Sequence, residues 1–180
     1  FFRTEYLSAI AFISIVFAAF MAIKLKDKSY KIINMYLDMS VLLIPAAYLL
    51  SFFFAFNAKD GFDMFLLYSS YFMIYKLTSD LSSKDEKYKN IFINVIIVSA
   101  FLLSFTSMLH IAGIISLSGA FIGNRLYGLY QYPNTTASVL GVGIILSLNK
   151  LINEDNIKAK SVYQMILTAL IPAFIFTLSR

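Results

Sequence analysis

Long uncharged blocks alternate with short lysine-bearing runs along the whole chain. A bilayer core of about 30 Å asks for roughly 20 apolar residues of helix. Six blocks meet that length fully or nearly so, the fifth being short: Tyr6 to Ile23, Met39 to Ala58, Gly61 to Ser79, Ile91 to about Ile114, Asn134 to Leu148, and Ser161 to Ser179. The third is the least clean, because Asp63 and Lys76 lie near its two ends. Both are expected to snorkel to opposite interfaces. No internal repeat, coiled-coil heptad or low-complexity linker interrupts the series. The expected fold is therefore all-α: a polytopic transmembrane helical bundle forming a single domain over residues 1–180.

The charges orient the spans. The connections Lys24 to Asp38, Lys76 to Asn90 and Lys150 to Lys160 carry eleven of the fifteen Lys and Arg residues: Lys24, Lys26, Lys28, Lys31, Lys76, Lys84, Lys87, Lys89, Lys150, Lys158 and Lys160. These are alternate connections, so they share one side, which the positive-inside rule makes the cytoplasm. Arg3, Lys59, Arg125 and Arg180 are left for the outer face. Composition agrees with a membrane class: 59% of residues are hydrophobic, only 14% are charged, and the mean hydropathy is +0.76. Since the lysines lie in topogenic runs, the net charge of +5 does not call for a nucleic-acid partner. The chain opens at Phe1 without an initiating Met, and Arg180 closes a hydrophobic block, so it is expected to be an internal piece of a longer protein.

Soluble enzyme motifs are missing. The sequence holds no HExxH, no Walker glycine loop, no GxSxG and no aspartate-rich pair for a diphosphate-bound metal, so no metal, cofactor or catalytic residue is assigned to this chain. With no cysteine, disulfides and thiolate metal sites are excluded too. His110, the sole histidine, could serve as a base. Its block supplies no orienting carboxylate, and a hydrogen bond to a neighbouring helix is the reading preferred here. Pro45 and Pro172 fall inside spans, where neighbouring helices can satisfy the carbonyls they free.

One stretch stands apart. "NRLYGLYQYPNTTASVL" (Asn124 to Leu140) contains Arg125, the only formally charged residue between Lys89 and Lys150. Pro133 disfavours helix at Tyr132, and Asn134, Thr135 and Thr136 are candidates to cap the helix that follows. A helix start presents unpaired N–H groups and a partial positive charge, which favour an anion. Arg125 adds a forked, permanent cation, Gly128 permits a tight loop, and Tyr127, Tyr130 and Tyr132 suit the headgroup level. "FTLSR" brings Arg180 to the same outer face at the end of the next hairpin, so the two arginines can converge on one ligand such as a diphosphate. The competing reading is that Arg125 only anchors its loop to lipid phosphates.

These two segments together resemble the O-antigen ligase and polysaccharide polymerase family of multi-pass membrane proteins. That family carries an Arg-x-x-Gly stretch running into Asn-Pro-Asn or Tyr-Pro-Asn at the mouth of a helix, then a Ser-Arg pair closing the next one. The matching positions are Arg125, Gly128, Tyr132, Pro133 and Asn134, then Ser179 and Arg180. Tyr132 stands where many members have Asn, a variant associated with Gram-positive relatives. The resemblance implies an undecaprenyl-diphosphate-linked glycan donor, a glycan or other hydroxyl acceptor, and metal-independent transfer at the outer face of the cytoplasmic membrane. It further implies that arginines bind the diphosphate and that the catalytic base lies in a large loop farther along. Two rivals come from other classes: a secondary transporter or flippase for an anionic lipid-linked substrate, and the membrane anchor of a sensor.

Overall fold

The computed structural model of the chain describes residues 3–26, 35–54, 57–123, 125–130 and 132–178. They form six helices: α1 (Arg3–Lys26), α2 (Met35–Phe54), α3 (Ala58–Ser82), α4 (Glu86–Ile111), α5 (Pro133–Asn153) and α6 (Ile157–Phe176). All except α3 are long and apolar enough to cross a membrane, and the chain is an all-α, multi-pass membrane protein. Helix is what lipid demands, since each backbone N–H and C=O must find its partner within the segment. Large apolar side chains such as Phe12, Leu43, Phe53, Leu102, Ile145 and Met165 stand exposed on the helices. Among the described residues, the β structure is one antiparallel pair, β1 (Phe121–Ile122) and β2 (Arg125–Leu126), between α4 and α5.

The chain divides into two compact units, Phe1–Lys89 and Asn90–Arg180. In the first, α3 packs on both α1 and α2. Tyr6 Oη donates to the Asp63 carbonyl at 3.0 Å, and the rings of Tyr48 and Tyr68 stack with centroids 4.3 Å apart. At the other end of α3, Lys76 does not snorkel as expected. It is 3% exposed and turned inward, donating to Asp38 Oδ2 and lying 3.2 Å from Asp80 Oδ1. Lys24 Nζ binds Asp80 Oδ2 at 2.7 Å. The reason is local: Asp38 and Asp80 offer opposite charge within reach, so an extended route to water is not needed. Lys24 and Lys76 are thus helix residues held in ion pairs, not solvated loop charges.

In the second unit, Ile97, Ala100 and Leu103 of α4 meet Leu126 of β2, Leu140 of α5, and Ile166, Leu170 and Ala173 of α6 in one buried cluster. Small residues let α4 and α5 approach closely, the usual packing device where lipid supplies no hydrophobic drive. Gly143 marks such an approach, for a Cβ built there would lie 2.5 Å from the Ala100 Cβ. Ser104 Oγ donates to the Ala169 carbonyl at 2.6 Å, tying α4 to α6 just ahead of Pro172. The carbonyl that Pro172 deprives of an N–H is that of Thr168, one residue before this contact, and α6 continues through the proline. Lys150 Nζ donates to Asn90 Oδ1 at 2.6 Å, joining the last turns of α5 to the first turns of α4.

The close approach at Gly143 yields a paired expectation. Gly143→Ala gains helix propensity but overpacks the crossing, which costs about 1–3 kcal/mol. Gly141→Ala meets only the Phe174 ring at 3.6 Å, an ordinary contact. Thermal unfolding in detergent should therefore show Gly143→Ala below the parent and Gly141→Ala at or above it. Equal midpoints for the two variants would contradict the crossing described.

Candidate functional site

The segment between α4 and α5 is built by a chain of hydrogen bonds that starts at His110. Its Nδ1 accepts from Leu117 N at 3.1 Å and lies 3.2 Å from the Ile115 carbonyl. The expected bond to a neighbouring helix is therefore replaced by one to the loop that follows its own helix. The cause is position: His110 sits in the last turn of α4, where the chain doubles back within reach. Leu117 O then accepts from Ala120 N, and Ala120 O accepts from Tyr127 N and Gly128 N at 2.8 and 3.0 Å. Between them β1 and β2 pair Phe121 with Leu126 and Ile122 with Arg125, with Gly123 in the turn at φ +59°. Leu126, fully buried, fixes the hairpin to the core.

Gly128 is required on two counts. Its φ is +62°, and a Cβ there would lie 3.1 Å from both Cγ2 and Oγ1 of Thr136. Only glycine takes that conformation without penalty. The expectation of a tight loop at this residue is met.

The start of α5 corrects the capping assignment. Tyr132, extended at φ −146° and ψ 115°, is the N-cap and makes no side-chain cap, while Pro133 is the first helical residue. Asn134, Thr135 and Thr136 fall in the first turn instead. Proline is preformed for that opening position because its missing N–H is one that the helix leaves without an internal partner. Thr136 is fully buried and donates its hydroxyl to the Tyr127 carbonyl, so it fastens the helix start to the hairpin. Thr135 is exposed.

Arg125 reaches the far end of α6. Its Nε donates to the Thr177 carbonyl at 3.2 Å and its Nη2 to the Leu178 carbonyl at 3.4 Å. Those carbonyls are left over where the helix stops, and a cation is favoured there by the helix dipole. Leu178, just past the C-cap Thr177 of α6, has φ +47°, a left-handed conformation that a branched residue adopts only at a cost of order 1–3 kcal/mol. A guanidinium has five N–H groups, and these two bonds use two of them.

Beside this contact opens a cavity of about 920 Å³, lined by Arg125, Tyr127, Tyr132, Pro133, Asn134, Phe174, Ile175 and Leu178. Its walls are the hairpin, the first turn of α5 and the last turn of α6. The structure thus brings together Arg125, Tyr132, Pro133 and Asn134 from the sequence-predicted set. Thr135 and Thr136 do not line the cavity, and Gly128 shapes the loop behind it. Ser179 and Arg180 lie outside the described residues. Phe174, Ile175 and Leu178 were not foreseen; their only sequence signal is their place on the last turn before "SR". A guanidinium, phenol rings, a side-chain amide and the positive end of a helix suit a partly desolvated anion at the rim of an apolar body. Among the described residues, no group of three His, Cys, Asp or Glu side chains could hold a metal.

No family model, no curated protein and no solved structure matches this chain.

The joint between hairpin and α5 is open to test. Thr136→Val keeps the shape but leaves the part-buried Tyr127 carbonyl without this donor, which costs about 1 kcal/mol. Gly128→Ala adds left-handed strain of about 1–2 kcal/mol to the crowding against Thr136. Both variants should unfold at lower temperature than the parent, and Thr135→Val, at an exposed position, should not. A drop for Thr135→Val equal to that for Thr136→Val would contradict the assignment.

Proposed function

We propose that this chain is part of a membrane glycosyltransferase, a ligase or polymerase that takes its glycan from an undecaprenyl-diphosphate-linked donor at the outer face of the cytoplasmic membrane. The observation that carries the reading is that Arg125, Tyr132, Pro133 and Asn134, four of the seven residues on which the resemblance to the O-antigen ligase and polysaccharide polymerase family rests, line one cavity together with Leu178. Leu178 directly precedes the Ser179 and Arg180 of the second half of the motif.

In this reading the cavity receives the diphosphate and the lipid chain lies along the apolar helices. A hydroxyl of a glycan or other acceptor attacks the anomeric carbon, the bond to the diphosphate oxygen breaks, and the lipid diphosphate leaves with the electron pair. Negative charge grows on that leaving oxygen, so a fixed guanidinium favours the transition state over the ground state. Arg125 is already held by the α6 carbonyls, which orients its fork before the ligand arrives. Asn134 and the helix start add further positive potential. The base that removes the acceptor's proton is assigned to a part of the protein outside this chain.

Transport of an anionic lipid-linked substrate is the second reading. The observation in its favour is the set of buried Lys24, Lys76 and Asp80 with the half-buried Asp38, since ionisable groups inside a membrane commonly mark a pathway. Those four charges sum to zero among themselves and sit near helix ends, which suits a fixed joint better than a path.

The deciding comparison places Arg, Lys and Ala at position 125 of the full-length protein. A charged hydrogen bond is worth about 1.5–3 kcal/mol, so Arg125→Ala should lower donor turnover by roughly one to two orders of magnitude. Lysine keeps the charge but loses the fork, and should restore only part of it. Because Arg125 also caps α6, thermal stability is measured in parallel. Equal turnover for the three proteins would sink the diphosphate site, and full rescue by lysine would favour a lipid anchor.

A further inference from the structure

We propose that α3 crosses the membrane as a dependent span, inserted because α1 and α2 deliver Lys24 and Asp38 to neutralise its own Asp80 and Lys76. The starting point is a mismatch. Among the described helices, α3 alone falls short of the apolarity that membrane crossing demands, for it carries Lys59, Asp60, Asp63, Lys76 and Asp80 within 25 residues. The first three lie in its first two turns, where water is close. Lys76 and Asp80 do not have that exit: they are 3% and 1% exposed.

Their surroundings replace water with opposite charge. Lys76 and Asp80 are four residues apart, so they share one face of α3 and meet each other at 3.2 Å, as a charge contact rather than a directed hydrogen bond. Lys24, in the last turn of α1, takes the other oxygen of Asp80 at 2.7 Å, and its ammonium lies 5.2 Å from the Phe20 ring centroid. Asp38, in the first turn of α2, accepts from Lys76, and its second oxygen accepts from Tyr75 Oη at 2.9 Å. A cation at a helix C-terminus and an anion at a helix N-terminus each match the local dipole. The two flanking helices therefore present the charges that α3 lacks, at the ends where those charges are best tolerated.

Two cations and two anions in line form a neutral set, and a neutral set can stay in low dielectric where any odd member cannot. Removing one partner of a buried pair leaves an uncompensated charge and is strongly unfavourable, while removing both partners together is close to neutral. A charged residue on a membrane helix is disfavoured in the same way during insertion. Hence α3 should fail to insert when α1 or α2 is altered, although its own sequence is untouched.

The absence of native cysteine gives a clean reporter. Ser83→Cys places one exposed thiol just after α3, and in intact cells the full-length protein is probed with a membrane-impermeant thiol reagent. The expected result is that Lys24→Met or Asp38→Asn raises labelling of Ser83→Cys about tenfold over the parent, or lowers accumulation in the membrane by as much. Each is rescued by its cognate change in α3, Lys24→Met by Asp80→Asn and Asp38→Asn by Lys76→Met, while the mismatched pair Lys24→Met with Lys76→Met is not. Parental labelling and accumulation in both single variants would show that α3 inserts on its own and overturn the proposal. So would loss in the single variants that the cognate change leaves unrepaired.

Discussion

A charge taken out of water must be met by a counter-charge or a dipole within a few ångströms, and both units of this protein are arranged around that demand. In the first unit, Lys24, Asp38, Lys76 and Asp80 answer one another. In the second, the half-buried Arg125 is met by the carbonyls of Thr177 and Leu178, which α6 leaves without intrahelical donors. The same rule governs neutral groups. Thr136 satisfies the Tyr127 carbonyl, Ser104 the Ala169 carbonyl, and His110 the Leu117 amide. Each polar contact joins two segments, so meeting the local electrostatic demand also sets the tertiary arrangement within its unit.

Five of the six helices could be read from the sequence because, for them, a span is a matter of length and apolarity. Their ends were less legible. Asn134, Thr135 and Thr136 look like caps by residue type, but Pro133 is preformed for the opening position, so the helix starts before them. The ion pairs could not be read at all: Asp38 and Lys76 are 38 positions apart, Lys24 and Asp80 are 56, and no local pattern links them. Strands of two residues are too short for any periodicity, although Gly128 did mark a place where the chain must turn. Of the site, the part within one stretch of sequence was found, Arg125 with Tyr132, Pro133 and Asn134. Its third wall, from Phe174 to Leu178, depends on the left-handed end of α6, which a leucine gives no reason to expect.

In the function proposed above, a single arginine has two roles at the cavity. By capping α6, Arg125 is immobilised, and the rotamer freedom it would otherwise lose on binding a ligand is already removed. The strained turn at Leu178 brings two carbonyl oxygens to the guanidinium. Strain of that kind clusters where geometry matters more than local stability.

Arg125 and Leu126 are neighbours on a strand, so their side chains point to opposite faces. One borders the cavity and the other is sunk in the core. A slip of β2 by a single residue against β1 would exchange them, driving a guanidinium into the apolar cluster and a leucine out to the rim. The buried leucine therefore acts as the ruler for the arginine. Leu126 is no part of the cavity lining, yet its burial in the core sets where the charge of its neighbour is presented.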